Sequence, residues 1–350
     1  MINHLTIFFL IAILSAVEVS AQKNSTGTRG ADIDRTDYIK SYPDYFFIWP
    51  VLKQRKLDFE IKSLSGTKKT LAYKTNKPYS LGVGVYVFEV AAELTFAIPL
   101  DERSKRIYGD SETRDVQFNL LGKKWGVDAY LQRYEGFYVD DGDISIPSSQ
   151  PYPQRADIVT RNIGAGVNYT FNNKRFSFRS AYNFSERQLR SAGSFLLFGT
   201  LSNLRIEGDS SIIDKNYVNI FEEESNIQSV SSTVLGVIPG YTYSLIYNGF
   251  FLNGTLGLGP AHLWLSHTDE DGFKERKNKF STQLAARISL GYNGDRIFGG
   301  ITFSSQGGNA RFENMEMNNS NSSFKMILGY RFKEWGILTK KATDLPRKLF

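Results

Sequence analysis

The sequence contains no cysteine and only three histidines in 350 residues. Without cysteine there is no disulfide bond, no thiol nucleophile and no lipid-modified cysteine behind a signal peptide. After the N-terminus the sequence also lacks any long apolar run, which excludes further helical membrane spans of about 20 residues. Its mean hydropathy is −0.30. That value is compatible with a transmembrane barrel, because lumen-facing polar residues dilute the apolar positions of each strand.

Residues 1–21 hold the one long apolar stretch, which ends in the small residues Ser20 and Ala21. This pattern predicts a secretory signal peptide that is cut after Ala21. A retained anchor helix would need a longer apolar segment. The segment contains no Lys or Arg, and its removal takes only Glu18 from a chain of formal net charge +6. We therefore expect an exported, mildly basic mature chain.

Several partner classes are disfavoured by how the charges are distributed. Basic residues are spread along the chain rather than clustered with stacking aromatics, so we predict no nucleic-acid partner. The chain has two acidic clusters, Asp140, Asp141 and Asp143, and Asp269, Glu270 and Asp271. Neither completes a calcium-binding loop with its terminal Glu. We predict no metal site and no cofactor.

Alternating side chains are the main pattern of the mature chain. In residues 324–332, FKMILGYRF, apolar side chains occupy every second position, with Lys325, Gly329 and Arg331 between them. Successive side chains of a strand point to opposite faces, so such a strand has one apolar and one polar face. The pattern recurs in residues 116–120, 127–131, 163–171, 176–184 and 280–292. Helical periodicity is not evident after the signal peptide.

The connections between these segments fall into two length classes. Short turns rich in Asn and Gly occur at 122 (GKKW), 172 (NNK), 247 (YNG) and 292 (YNGD), and long polar stretches cover 100–112, 139–157, 267–278 and 305–322. Outer-membrane barrels have short periplasmic turns and long external loops, whereas a soluble sandwich has no reason to sort its connections. Aromatic residues near the turns, such as Trp125 and Tyr241, fit the interfacial girdles of a barrel.

The predicted fold is all-β: a transmembrane antiparallel up-and-down β-barrel of about 12 strands, within a range of about 10–14. The predicted strands cover residues 69–74, 80–88, 90–98, 113–121, 125–137, 158–171, 175–186, 193–205, 231–247, 250–265, 279–291, 296–304 and 323–332. Their number is odd, whereas a bacterial single-chain barrel normally has an even number, so one assignment is wrong and residues 206–228 are the suspect region. The predicted domains are a signal peptide (1–21), a periplasmic N-terminal extension or plug (22–56), the barrel (57–332) and a periplasmic tail (333–350).

The polar faces of these strands define the predicted lumen. The inward side chains are Asp128, Gln132, Arg179, Gln283, Arg287, Lys325 and Arg331. Charges at membrane depth must face water or one another. Two interpretations stay open: a narrow pore or solute-binding channel whose basic lumen favours small anionic solutes, and a non-conducting surface scaffold or adhesin that acts through its external loops.

A lipid-modifying outer-membrane enzyme is a third, less favoured interpretation. His262 and His267 are the histidines outside the signal peptide, and His267 directly follows Ser266. A Ser and His pair is the usual hydrolase arrangement. Adjacent residues of a strand point to opposite faces, however, so this pair has poor geometry. We predict no enzymatic activity.

The last predicted strand also carries a predicted insertion signal. Its alternating apolar residues are Phe324, Met326, Leu328, Tyr330 and Phe332. We expect the barrel-insertion machinery to recognise this face, and Tyr330 and Phe332 to close the barrel against its first strand. The outward apolar faces predict outer-membrane lipid and lipopolysaccharide as surroundings, and hence a location in the bacterial outer membrane.

Four segments resemble a known family. They are SYPDYFFIW at 41, YSLGVGVYVFEVAAELTFAIP at 79, WGVDAYLQRYEGFYV at 125 and RFSFRSAYNFSERQLRSAGSFLLFG at 175–199. Together they resemble a Bacteroidetes-type family of exported barrel proteins known as a domain of unknown function, over residues 35–332. Ser191, Gly193 and Ser194 match the most specific element, whereas Val87 and Phe88 stand where the family has Lys and Trp. The resemblance implies an outer-membrane barrel and no particular activity.

Overall fold

The computed structural model describes residues 34–333, except 65, 88, 89, 145, 148 and 313. The predicted signal peptide and most of the predicted C-terminal tail lie outside the described residues. The strands are β1 Ile39–Ser41, β2 Tyr45–Ser63, β3 Thr70–Lys74, β4 Ser80–Val87, β5 Val90–Ala97, β6 Glu112–Leu121, β7 Trp125–Asp141, β8 Gln154–Thr170, β9 Glu186–Gln188, β10 Ala192–Glu207, β11 Ile227–Tyr247, β12 Phe250–Asp269, β13 Lys274–Asn293, β14 Ile297–Arg311 and β15 Met315–Lys333. The α-helices are α1 Glu102–Tyr108, α2 Phe178–Tyr182 and α3 Val218–Phe221, and short 3-10 turns cover Arg35–Asp37, Lys215–Tyr217 and Glu222–Asn226.

Ten antiparallel strands form a closed ring in the order β2, β3, β7, β8, β10, β11, β12, β13, β14 and β15. The ring closes because β15 pairs with β2, with Tyr330 opposite Ile48 and Phe332 opposite Phe46. Strand β4 continues the line of β3 along β2, β5 pairs with β4, and β6 pairs with β7. This confirms the predicted all-β antiparallel barrel: β3 completes the ten-strand ring in one half of the molecule, and β4, β5 and β6 stand in its place in the other half.

The two ends of the barrel carry different connections. We call the end with the β6–β7, β11–β12 and β13–β14 turns the turn end, and the opposite end the loop end. The loop-end connections include residues 98–111, 142–153 and 208–226. Two stretches predicted as long loops, 267–278 and 305–322, are mostly strand, and their loops are only residues 270–273 and 312–314. Their polar side chains belong to strands that continue past the membrane.

The outer face of the turn-end half is an apolar belt. Leu81, Leu94, Phe118, Leu258 and Leu328 each expose more than half of their surface there. A soluble monomer rarely exposes an apolar area of this extent. Such a belt is what the hydrocarbon core of a bilayer requires of a barrel wall.

In the loop-end half the pattern is reversed. The outer face carries charged pairs such as Arg133 with Glu135 at 2.6 Å and Arg205 with Glu207 at 2.5 Å. The inner face is apolar, and its buried side chains, among them Leu57, Phe59, Ile61, Tyr73, Phe137, Leu263 and Met317, form one core. This half therefore lies outside the bilayer. The reversal explains strands of up to 21 residues, since about 9–11 residues suffice to cross a membrane.

The predicted boundary between the N-terminal extension and the barrel is wrong. Strand β2 begins at Tyr45, so residues 45–56 belong to the barrel wall. The inner side chains Phe47 and Trp49 are buried inside the barrel, while the outer side chain Ile48 is exposed. Both faces of this part of β2 are apolar, and for that reason the alternation did not reveal a strand.

The predicted strand 175–186 is also wrong. Residues 171–191, which we call the plug, leave the wall after β8 and fold into the turn end of the barrel, where Phe176, Phe178, Tyr182 and Phe184 are buried. Helix α2 begins after Ser177, whose side chain caps it by accepting a hydrogen bond from the Ser180 backbone N–H. The turn predicted at 172 is thus the start of the plug. No helix in the described ranges is long and apolar enough to span a bilayer.

The suspect region 206–228 is not a missing strand. Residues 208–226, which we call the cap, contain α3 and two 3-10 turns. Ile212, Ile213 and Phe221 of the cap are buried in the loop-end core. The Tyr73 hydroxyl donates to the backbone oxygen of Ile212 at 2.7 Å. The false strand in the plug and the missed strand β2 cancel in the count, so the sheet still has 13 strands, of which ten form the closed ring. The cap closes the opposite end of the barrel.

Candidate functional site

A cavity of about 450 Å³ lies inside the barrel between the plug and the loop-end core, and we call it the chamber. Its charged lining consists of Lys53, Arg55, Glu93, Asp128, Arg287 and Lys325. Four of these side chains are cationic and two are anionic, so the chamber has a positive bias. Its volume falls within the range of small-molecule sites, about 300–1,000 Å³.

The plug forms the turn-end boundary of the chamber, and hydrogen bonds fix it to the wall. The Tyr182 hydroxyl donates to Asn253 Oδ1 at 2.6 Å. The Ser289 hydroxyl donates to the Ala181 backbone oxygen at 2.9 Å. Asn293 Nδ2 donates to two plug carbonyl oxygens, both at 3.0 Å. Buried polar groups of the wall are thus satisfied by the plug and would lose these partners if it left.

Arg331 joins the wall to the plug rather than lining a lumen. Its side chain is fully buried and donates to the backbone oxygen of Phe184 and to Asn293 Oδ1, each at 2.7 Å. Its guanidinium lies 4.2 Å from the Tyr42 ring centre and 4.6 Å from that of Phe298. Cation–π contacts and carbonyl acceptors can hold a buried guanidinium in this way.

Arg179 is not on the barrel wall, contrary to the prediction. It lies on α2 within the plug, because residues 175–186 are not a strand. Its guanidinium donates to the Tyr86 hydroxyl at 2.7 Å and to the Ser185 hydroxyl at 2.8 Å. It also faces Glu186 at 3.7 Å.

Glu186 is the acidic centre of the plug. It is 1% exposed and forms an ion pair with Arg35 at 2.7 Å. The Ser177 hydroxyl donates to the same carboxylate at 2.5 Å. Burial raises the pKa of Glu186, but the Arg35 hydrogen bond and the Arg179 charge outweigh burial and leave this pKa below its ordinary value. Strand β9, which contains Glu186, pairs with β1 and so ties the plug to the N-terminal segment.

Arg287 is the most distinctive cation of the chamber. Its guanidinium lies 5.5 Å from the ring centre of Phe178, 5.8 Å from that of Tyr182 and 5.7 Å from that of Phe198. No ion pair to Arg287 occurs within the part of the chain that the structure describes. Ring faces orient a guanidinium without consuming its hydrogen-bond donors, which leaves them free for a ligand.

Glu93 holds a second cationic group of the chamber. Its carboxylate accepts from Lys325 at 3.1 Å and from Trp49 Nε1 at 3.2 Å, and Lys53 lies 3.7 Å away. Two lysines therefore share one carboxylate. Glu93 lies on β5, whereas its partners lie on β2 and β15, so this cluster also ties β5 to the closed ring.

The roof of the chamber is a denser polar network. Arg55 pairs with Asp115 at 2.6 Å, and Lys77 lies 3.4 Å from the same carboxylate. Gln132 donates to the Tyr134 hydroxyl at 3.1 Å and accepts from Asn162 at 2.8 Å. These cations are neutralised by the protein itself, unlike Arg287.

The predicted lumen residues therefore occupy three places. Asp128, Arg287 and Lys325 line the chamber, and Gln132 belongs to its roof. Gln283 is buried on the inner face of β13. Arg179 and Arg331 belong to the plug and its contacts. Six of the seven residues point inward from the barrel wall, as the alternation predicted, and Arg179 is the exception. Their role in a lumen stays a prediction.

Several chamber residues were not predicted from the sequence, and four of them contribute to its charged clusters. Trp49, Lys53 and Arg55 lie on β2, which had been assigned to an N-terminal extension, and Glu93 lies on β5. A signal for the end of β2 was present, because inward Leu57 alternates with outward charged residues. In the loop-end half of the barrel the outer face is polar and the inner face apolar. The alternation at the end of β2 is therefore the reverse of that in a membrane-spanning strand, whose outer face is apolar.

The wall beside the chamber has a gap. Strand β5 pairs with β4, and β6 pairs with β7. Between residues 90–97 and 112–121 no hydrogen-bonded ladder forms. We call this gap the seam. The chamber lining includes residues from both of its edges, among them Glu93 of β5 and Asn119 of β6.

The histidines and acidic clusters lie away from the chamber. His262 packs edge-on against the rings of Trp264 and Phe280. His267 lies 3.5 Å from Glu275 and 3.9 Å from Asp269. The other acidic cluster is paired with lysines: Asp140 with Lys74 at 2.5 Å, and Asp141 with Lys69 at 2.6 Å. Within the described residues no group of three candidate ligands forms a metal site.

Comparison with known proteins gives a family and loose structural similarity. The family described as Domain of unknown function (DUF4421) matches residues 32–332, nearly the span of the resemblance seen in the sequence. No curated protein matches. The Bacteroidetes assignment stays a prediction.

Three solved outer-membrane structures illustrate the likeness. Outer membrane protease OmpT from Escherichia coli has 12% identity and a TM-score of 0.41, over 84% of this chain and 98% of that chain. The translocator domain of autotransporter NalP from Neisseria meningitidis has 10% identity and a TM-score of 0.31, over 92% and 95%. Ail, the attachment invasion locus protein of Yersinia pestis, has 11% identity and a TM-score of 0.22, over 83% and 99%. Likeness at this level carries no argument about activity.

Proposed function

The chain belongs to the family described as Domain of unknown function (DUF4421), and from that premise we propose that it is a bacterial outer-membrane barrel that binds a small anionic solute in its chamber. The family supplies no activity, so the proposal rests on the chamber itself. The apolar belt and the polar loop-end half support the membrane location.

The observation that carries the proposal is the state of Arg287. Six charged side chains line the chamber, four of them cationic. Arg55 has its own carboxylate partner, and Lys53 and Lys325 share Glu93. Arg287 is held by three aromatic rings instead. An anion in the chamber would give this guanidinium the charge-assisted hydrogen bonds it lacks.

Both ends of the barrel favour a binding chamber over a steadily open pore. The cap and the loop-end core fill one end, and the plug fills the other. Conduction along the barrel axis would require one of these packed regions to move. We therefore expect few or no channel openings from the mature protein in planar bilayers.

A surface scaffold is the second candidate, and a different observation favours it. The wall extends beyond the membrane as a sheet with polar outer faces, and α1 lies in the connection between β5 and β6. Such a platform offers an extended polar surface to a partner. It would act without a ligand in the chamber.

Fluorescence of Trp49, which lines the chamber, tests the first candidate. In the mature protein refolded in detergent, Trp125, Trp264 and Trp335 are replaced by Phe so that Trp49 alone reports. Inorganic phosphate, acetate and benzoate are the probes. Saturable changes are expected with at least one of them.

Two matched variants decide the result. Arg287→Gln should weaken binding by about tenfold or more, because a charge-assisted hydrogen bond is worth about 1.5–3 kcal/mol. Arg276→Gln, on the exposed outer face of β13, should bind as the parent does. Equal affinity in the Arg287 variant and its parent, or no response to any probe, would overturn the proposal.

A further inference from the structure

The seam is an unusual feature for a wall that crosses a membrane. In the turn-end half, where β4, β5 and β6 stand in place of β3, every other neighbouring pair of strands is joined by a ladder, whereas the facing edges of β5 and β6 form no ladder among the described residues. In hydrocarbon each backbone N–H or C=O without a partner costs several kcal/mol. These edges therefore need polar partners, from water in the chamber or from a ligand.

The chamber extends sideways to this gap. Its lining includes Ala92 and Glu93 of β5 and Gln117, Phe118 and Asn119 of β6. The amide side chains of Gln117 and Asn119 are hydrogen-bonded to each other at 3.1 Å and both are exposed. A strand inside a closed wall would bury its inner face. The exposure of these inward amides agrees with a wall that has no ladder beside them.

Outside the seam the surface is strongly apolar. Leu94 and Phe96 of β5 are 67% and 69% exposed, and Val116 and Phe118 of β6 are 68% and 56% exposed. These side chains belong to the membrane belt. The seam therefore joins two unlike environments, a cationic chamber inside and hydrocarbon outside, with no ladder between them.

We propose that the seam is a lateral entrance and that the ligand is an amphiphile with an acidic head group and a hydrocarbon tail. The head group lies in the chamber beside Lys53, Arg287 and Lys325. The tail passes between β5 and β6 into the bilayer. This inference rests on the proposed binding of an anion in the chamber and specifies what carries that anion.

Charge and position favour this ligand over a partner strand. Free strand edges can accept a strand from another chain. Such a strand would satisfy the backbone of β5 and β6 but would leave the cationic lining without an anion. An acidic amphiphile satisfies both the charge of the chamber and the apolar surface outside it.

The absence of cysteine makes a direct test possible. Ala92→Cys with Phe118→Cys places one thiol on each edge of the seam, and a short bifunctional thiol reagent then closes it. The matched control is Ile301→Cys with Met326→Cys, opposite residues of β14 and β15 that are already joined by a ladder. Each pair is compared before and after cross-linking.

The probe is a fatty acid brominated in its chain, which quenches the Trp49-only protein on contact. A chain-brominated phosphatidylglycerol is titrated in parallel, and the better quencher identifies a free fatty acid or a phospholipid as the source. We expect saturable quenching that falls at least tenfold when the seam is cross-linked and stays unchanged in the cross-linked control. Arg287→Gln should also weaken it.

The contrary outcomes separate this inference from the proposed function. Quenching that depends on Arg287 but survives the closed seam would overturn the lateral entrance and keep the anion site. Binding of water-soluble anions without quenching by either brominated amphiphile would also overturn the lateral entrance and leave the anion site in place. Cross-links between two chains at Ala92→Cys and Phe118→Cys would identify the seam as a subunit interface and overturn the inference.

Discussion

Glu186 offers the sharpest test of how the plug is held, and Glu186→Ala is the change we would make. The substitution leaves Arg179 buried without its carboxylate and takes from Arg35 its partner at 2.7 Å. Removing one member of a buried ion pair costs about 3–5 kcal/mol. Arg35 keeps 20% of its side chain exposed and can rehydrate in part. The lower figure of about 3 kcal/mol is therefore the better expectation.

Thiol labelling measures this opening directly, because the natural chain has no cysteine. Ala181→Cys puts a buried thiol on α2, where the parent residue is 1% exposed. Labelling requires the plug to open, so its rate follows the opening equilibrium. If Glu186→Ala lowers the free energy of plug opening by about 3 kcal/mol, the Ala181→Cys thiol should be labelled roughly 100-fold faster than in the parent. A thiol at Ala261→Cys, buried in the wall, should label at an unchanged rate.

The same assay has a definite pH dependence. The folded pKa of Glu186 lies below its ordinary value of 4.5. Its contribution to holding the plug is therefore complete above about pH 4.5 and is lost as the pH falls through the folded pKa. A pyridyl disulfide reagent, which reacts with thiols in acid, should label the Ala181→Cys thiol faster below that pH. Glu186→Gln should remove this dependence.

Two results would refute this reasoning. One is a labelling rate in Glu186→Ala within about threefold of the parent, which would correspond to less than 1 kcal/mol. The other is an equal acceleration at the Ala261→Cys thiol, which would mean that the whole barrel had loosened. In either case the ion pair would not be what retains the plug.

Two further changes test the wall. Gly136 has φ +83° where the inward face of β7 shifts by one residue, and an added Cβ would lie 2.4 Å from the Asp110 backbone oxygen. Gly136→Ala should lower the free energy of unfolding in urea by at least about 1–2 kcal/mol. Gly142→Ala is the control and should have little effect, because an added Cβ there has nothing within 4 Å. Equal urea midpoints for the two variants would contradict this account. Leu328→Arg, in the apolar belt of β15, should cost about 2–4 kcal/mol, while Ser320→Arg, on the outer face of the same strand in its loop-end half, should cost little. Similar losses in both would argue against the placement of the membrane.

Most of the barrel wall was predictable from alternation, because each strand separates two environments and its side chains record both. The prediction failed where the interior is protein instead of water. On β2, Phe47 and Trp49 face the plug, so the inner face is as apolar as the outer one. Residues 176–184 have aromatic residues at alternate positions for a different reason: they fill the turn end of the barrel, and α2 is too short to show helical periodicity.

The candidate site was predictable in part for the same reason. Arg287, Lys325 and Asp128 are inward residues of recognisable strands, so their direction followed from the pattern. Arg331 has the same inward direction, but its contacts with Phe184 depend on a plug that the pattern did not reveal. The seam could not be predicted, since pairing between β5 and β6 depends on the tertiary course of the wall and not on either strand alone.

The relative cost of opening each boundary indicates how a ligand would reach the chamber. Opening the loop end exposes Ile212, Ile213 and Phe221 of the cap. Burial of each such apolar side chain stabilises the closed state by about 1.5–3 kcal/mol. Withdrawing the plug exposes its aromatic residues at a similar cost each, and it also breaks the hydrogen bonds from Asn293 and Arg331. Parting β5 and β6 breaks no ladder. The sideways route therefore costs least, and a ligand that already lies in the membrane would reach the chamber without disturbing either end.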